Sequence, residues 1–144
     1  MTCPSSVICD YLIETAALFT IPSDGDSWPI YDGAMPDGNE TPNQCAAVLN
    51  TAGVMEGKDM LGNLDQRYGV QIRIRGMSES TTYEKTKEVE DAFKGVTYQD
   101  VTVVSGETWR IYNLQQTTPI MLVSVDDRRR FTQVINFLCC MKTI

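Results

Sequence analysis

The sequence predicts an α+β fold, a single domain over residues 1–144 with a mainly antiparallel sheet and helices packed on one face. Three observations predict it. The stretch Tyr68–Gly76, YGVQIRIRG, alternates Val70, Ile72 and Ile74 with Gln71, Arg73 and Arg75, the period of a strand with one buried face. A charged amphipathic helix follows almost at once. After Gly95 come four stretches rich in Val, Ile, Thr and aromatic residues: YQDVTVVSG, TWRIYNLQQ, PIMLVSV and RFTQVINFLCCMK.

Along the chain, Ser5 or Ser6 is placed to cap a first helix. Its apolar face would carry Val7, Ile8, Tyr11, Leu12, Leu18 and Phe19, and Pro22 would end it. The following SDGDSWPIYDGAMPDGNETPNQ is rich in Pro, Asp and Gly and reads as loop, with a short extended piece near Trp28–Tyr31. CAAVLNTAG, Cys45–Gly53, has the length of a strand, and VMEGKDMLGNLDQR reads as an exposed connection. In the second helix Thr81 and Glu84 form a T-x-x-E capping box, and Gly95 closes the far end. Its buried stripe would be Tyr83, Val89, Ala92 and Phe93, with Glu84, Lys85, Lys87, Glu88, Glu90 and Asp91 in water. In the final stretch Phe131, Ile135, Phe137, Cys139 and Met141 share one face, with Gln133 as the polar exception.

Charge is segregated. Net charge is −7, yet Met1–Gly57 holds eight acidic residues and no Lys or Arg, and the remainder is +1. An acidic half repels phosphate, which argues against tight nucleic-acid binding. No window approaches the ~20 apolar residues of a membrane helix. The first residues lack the basic start of a signal peptide, so an intracellular product is expected.

Catalytic chemistry is scarce. Histidine is absent. The five cysteines (Cys3, Cys9, Cys45, Cys139 and Cys140) form no C-x-x-C pair, so neither a zinc site nor a disulfide framework is expected. GVMEGKD is one residue short of a phosphate loop and has Asp59 where Ser or Thr would hold magnesium. DGDSWPIYD lacks calcium-loop spacing. No catalytic residue, metal or cofactor is expected. The candidate sites are therefore surfaces. Arg73 and Arg75 stand on the sheet face opposite the core, where planar guanidinium groups suit carboxylates of a neighbouring subunit. Asp126, Asp127, Arg128, Arg129 and Arg130 are expected to form a solvated, mobile turn before the last strand and to dock on an adjacent subunit or ring.

The order WPIYDGAMPD, AAVLNTAG, YGVQIRIRG, YEKTKEVEDAF and PIMLVSVDDRRRFTQVINFLC resembles the tail terminator (minor capsid, tail completion) proteins of long-tailed phages, from about Trp28 onward. The family's turn before the last strand often contains Gly, where this chain has SVDDRRR. The resemblance implies a virion protein, assembled in the host cytoplasm, that forms a six-membered ring at the tail–neck junction. The ring would cap the tail tube protein, end its polymerisation and offer the surface met by a head-completion or connector protein. DNA would pass through without specific binding, along a lumen lined by part of the N-terminal acidity: Asp24, Asp26, Asp32, Asp37 and Glu40. A head-closure or other neck ring protein is the near alternative. A small hydrolase using Asp or Cys is the distant one, for which a reactive thiol at Cys45 or Cys139 would be the sign.

Overall fold

In the computed structural model, which describes residues 2–22, 28–36, 42–58, 60–62 and 64–144, seven strands form one curled, mostly antiparallel sheet with two helices on one face. Helix α1 (Pro4–Asp10) runs into a π-helical turn (Tyr11–Thr15). Then come β1 (Ile30–Asp32), β2 (Cys45–Lys58), β3 (Leu64–Gly76), α2 (Glu79–Lys94), β4 (Gln99–Thr102), β5 (Thr108–Gln116), β6 (Met121–Val125) and β7 (Phe131–Thr143). The spatial order is β1-β2-β3-β7-β5-β4, and β6 also pairs with β7. β1 is parallel to β2; every other strand pair is antiparallel.

The centre is the β3–β7 ladder. Val70 stands opposite Phe137 and Ile72 opposite Ile135, so the apolar sets of both strands share one face. Val89 and Phe93 of α2 cover that face, with the Phe93 and Phe137 rings 4.6 Å apart and Tyr11 packed on Phe93 at 5.8 Å. Each fully buried Ile or Phe contributes about 1.5–3 kcal/mol, so this layer dominates the stability. Strands β5 and β6 lie end to end along one edge of β7, interrupted at residues 117–120, with Gln116 opposite Phe137 and Met121 opposite Val134.

Several local expectations need correction. The first helix is not capped by Ser5 or Ser6. Cys3 is the N-cap with Pro4 at N1, and Asn50 Oδ1 of β2 accepts the Ser5 N–H at 3.0 Å. Both serine hydroxyls donate instead to Asp32, Ser5 at 2.6 Å. The helix does end before Pro22, but earlier than its expected apolar face, which ran to Leu18 and Phe19. The turn widens where the Ala16 N–H bonds the Tyr11 carbonyl, and Ala17, at φ 53°, ends it. Leu18 and Phe19 are thereby released from the helix. Phe19 meets Trp28 edge-on at 6.4 Å, and the Lys85 ammonium caps both rings at 5.1 and 5.5 Å.

The supposed connection after Gly53 is an extension of the β2–β3 hairpin, running to Lys58 and returning from Leu64. Its side chains are exposed from Thr51 to Lys58, so no burial period marked it as strand. The strands cross closely at its root: a Cβ on Gly53 would lie 2.1 Å from the Arg67 carbonyl oxygen, and one on Gly69 2.4 Å from that of Ala52.

In α2 the cap is Ser78, whose Oγ accepts the Thr81 N–H at 3.2 Å, three residues before the expected box. Gly95 follows the helix at φ −84°, without the left-handed conformation of a glycine cap. The buried face is Thr82, Thr86, Val89, Glu90 and Phe93, while Tyr83 is exposed. The threonine hydroxyls are satisfied by the Ser78 and Thr82 carbonyls one turn back. Glu90, expected in water, is buried. Its carboxylate accepts from Lys87 at 2.5 Å, Lys94 at 3.2 Å and Gln116 of β5 at 3.0 Å, joining helix to sheet.

Two outcomes follow from this packing. Ile72→Asp, at a position with 0% exposure, places an unpaired carboxylate under α2 and costs several kcal/mol of a total of roughly 5–15, so the variant is expected to be insoluble; a soluble variant with a cooperative melt would refute the face assignment. The Lys87 hydrogen bond leads the interactions that hold the Glu90 carboxyl at about 2, below its ordinary 4.5. A depressed carboxyl stabilises the fold above the unfolded value and loses that contribution as pH falls from 4.5 towards 2. Glu90→Gln should therefore cost on the order of 1–3 kcal/mol in denaturant titrations at pH 7, with the difference from the native chain shrinking steadily below pH 4.5.

Candidate interaction surface

The face of β3 opposite the core is a chain of hydrogen bonds. Arg73 Nε donates to Gln71 Oε1 at 2.8 Å, Gln71 Nε2 to Asn136 Oδ1 at 3.0 Å, and Asn136 Nδ2 to Thr118 Oγ1 at 3.0 Å. Every second β3 residue must point this way once Val70, Ile72 and Ile74 point inward. Thr118 belongs to the break between β5 and β6, so the polar row also pins that break. Arg75 is 4% exposed and turned to its own chain: Nη1 donates to the Pro36 carbonyl at 2.9 Å and Nη2 to the Pro42 carbonyl at 2.8 Å. It clamps two points of the β1–β2 connection onto the sheet.

The DDRRR segment divides. Asp126 organises the turn. Its Oδ1 accepts the backbone N–H groups of Arg128 and Arg130, each at 2.9 Å, and its Oδ2 accepts Arg130 Nε at 2.6 Å. The Arg130 N–H comes first among the donors that hold its carboxyl below the ordinary carboxylate value. Arg130 is 3% exposed, whereas Asp127, Arg128 and Arg129 stand in solvent, with Arg129 at φ 59°. The expected wholly solvated, mobile tip is thus corrected. One arginine is built into the sheet, because the carboxylate four residues before it accepts both its backbone N–H and its guanidinium Nε.

The structure brings Arg73, Arg75 and Asp126 together around one pocket of about 200 Å³, walled by Met35, Val123 and Thr132. Of the acidic residues expected along a lumen, Asp32 is bound to Ser5 and Ser6, and Asp24, Asp26, Asp37 and Glu40 lie outside the described residues. One further surface cluster was missed. Arg110 forms a two-pronged pair with Asp100 at 2.7 and 3.0 Å and lies 4.7 Å over the Tyr98 ring, which meets Tyr112 at 5.4 Å. Its trace in the sequence is the i, i+2 spacing of Tyr98 with Asp100 and of Arg110 with Tyr112, at the start of β4 and on one face of β5.

Among the described residues, no side chains are arranged as a nucleophile with a base. Burial pushes Cys9 and Cys139 up to about 12 and raises Cys45, the reverse of what a thiolate nucleophile requires. Cys3 is exposed and lowered, first by the Ser5 hydroxyl, and it borders a pocket of about 340 Å³ with Asp10 and Asp32. The chain has no imidazole to pair with it. Among the described residues, no group of three or more Cys, Asp or Glu could hold a metal ion.

Neither a scan against protein-family models nor a search of curated proteins finds a match. Among solved structures, the chain is similar to one in "Virion of native gene transfer agent (GTA) particle". The TM-score is 0.53 at 15% identity, covering 96% of this chain and 93% of that one. The likeness is one of fold, and it takes in nearly the whole of both chains.

The divided turn yields a divided expectation. Arg130→Glu sets a buried carboxylate against Asp126 and should lower the melting temperature by several degrees, whereas Arg128→Glu with Arg129→Glu should leave it nearly unchanged. Equal effects of the two in thermal denaturation would contradict the assignment.

Proposed function

We propose that this chain is a non-enzymatic structural subunit of a tailed, phage-like particle, and specifically a tail terminator. Six copies form a ring that caps the tail tube, ends its polymerisation and presents the surface for head joining. The observation that carries the reading is the whole-chain fold match to a chain of a gene transfer agent virion. The lack of a nucleophile–base pair among the described residues is consistent with it, and the order of segments that resembles the terminator family supports it.

The charge pattern suits the same role. A segment that is −8 from Met1 to Gly57, placed near a DNA path, would keep the polyanion from sticking. On this reading part of that acidity faces the lumen, and the Arg-lined pocket beside β6 faces a neighbouring subunit.

The test is removal of the gene in a particle-producing cell, followed by negative-stain imaging. A terminator's loss gives filled heads beside tails of uncontrolled length. Tails of normal length with heads that leak DNA would replace the terminator reading with a head-closure ring. Normal infectious particles would remove both.

A further inference from the structure

Arg73 is half-buried on the outer face of β3 with part of its guanidinium unused. Its Nε donates to Gln71 Oε1 at 2.8 Å, while among the described residues neither Nη group has a hydrogen-bond or ion-pair partner. The Nε bond begins the row that runs through Asn136 to Thr118, so the plane of the guanidinium is held before anything meets it. Drawing a charged group partly out of water costs free energy unless it is paired. With Nε taken, the end of the fork, Nη1 and Nη2, is the edge left for a partner.

The walls of the 200 Å³ pocket that Arg73 lines decide what fits. Ser124 and Thr132, cross-strand partners on β6 and β7, supply two hydroxyls. Arg75 is held on the Pro36 and Pro42 carbonyls and shapes the wall. Asp126 is also present, but both its oxygens are engaged and its charge is matched by Arg130. The adjoining exposed turn of Asp127, Arg128 and Arg129 carries one net positive charge. The volume is below the ~300 Å³ of sites that enclose whole small molecules, and it suits a single side chain. β6 borders the pocket with Met121, Val123 and Val125, each 40–52% exposed. One arginine seat bordered by uncharged apolar surface is the make-up of a protein interface.

We propose that this pocket receives one Asp or Glu side chain of a neighbouring protein subunit, its two carboxylate oxygens taken by Nη1 and Nη2 of Arg73 beside the hydroxyls of Ser124 and Thr132. This rests on the reading above, in which the pocket faces a neighbouring subunit, and names the group the neighbour supplies. A planar anion with two oxygens matches the end of the fork. A phosphate would bring a second negative charge against Asp126.

The test titrates the isolated protein, at constant ionic strength, with N-acetylglutamic acid α-amide, which presents a glutamate side chain and no other charge. N-acetylglutamine α-amide is its neutral counterpart. In heteronuclear NMR spectra the glutamate probe is expected to shift the Arg73 Nε–H and the Ser124 and Thr132 amides saturably, about tenfold more tightly than the glutamine probe, ~1.4 kcal/mol. Arg73→Gln should keep the native melt and abolish the response. Ser124→Asp, which fills the seat from within at an exposed position, should abolish it as well. An equal response to both probes, a response that survives both substitutions, or tighter binding of inorganic phosphate overturns the proposal. So do particles that assemble normally with Arg73→Gln. If the glutamate probe binds and Arg73→Gln blocks assembly, but gene removal leaves tails of normal length, the seat stands and the terminator reading falls. If gene removal gives overlong tails and the probe does not bind, the terminator reading stands and the seat falls.

Discussion

The packing of Val70 and Ile72 against Phe137 and Ile135, under Phe93, constrains everything else in this fold. β3 is flanked on both edges, by β2 and β7, so its backbone has no freedom to rotate. Once its apolar side chains turn under α2, Gln71, Arg73 and Arg75 have one place to go. The hydrogen-bonded row through Asn136 to Thr118 and the Arg75 clamp on two prolyl carbonyls are what that obligation became. A one-residue slip would turn the arginines under α2 and move the apolar set to the opposite face, so the ladder is strongly specified.

Three carboxylates do for the loops what the aliphatic ladder does for the sheet. Asp32 gathers the serine hydroxyls of α1, Glu90 joins α2 to β5, and Asp126 folds the last turn around Arg130. Each is a place where an acidic residue that pattern alone assigns to solvent has been drawn into the structure.

How much was legible follows from what leaves a period. The alternation in Tyr68–Gly76 and Phe131–Met141 announced the two central strands and their inward faces, because each has one buried side. The hairpin extension from Val54 to Lys58 left no such trace, since both of its sides meet solvent. The second helix was evident, but its buried face was shifted by Thr82 and Thr86, whose hydroxyls bond back to the helix and so behave as small core groups. Arg73 and Arg75 were placed on the correct face, yet their difference in burial depends on the β1–β2 connection, which is remote in sequence. Arg130 could not be told from Arg128 and Arg129 without the geometry of Asp126. The Tyr98–Arg110–Asp100 cluster needed the register of β4 on β5 before its members could meet.

The place of β7 has a consequence for how the chain folds. It is the last strand in chain order, yet it lies inside the sheet and holds β3 on one edge and β5 and β6 on the other. Nearly all of its contacts span long stretches of sequence, and such topologies fold slowly because loop closure precedes any reward. During synthesis the first six strands can collapse, but they cannot form the finished sheet until β7 leaves the ribosome. α1, whose first turn waits on Asn50, cannot settle early either. A nascent chain of this kind holds an incomplete sheet until β7 has emerged and slotted between β3 and β5.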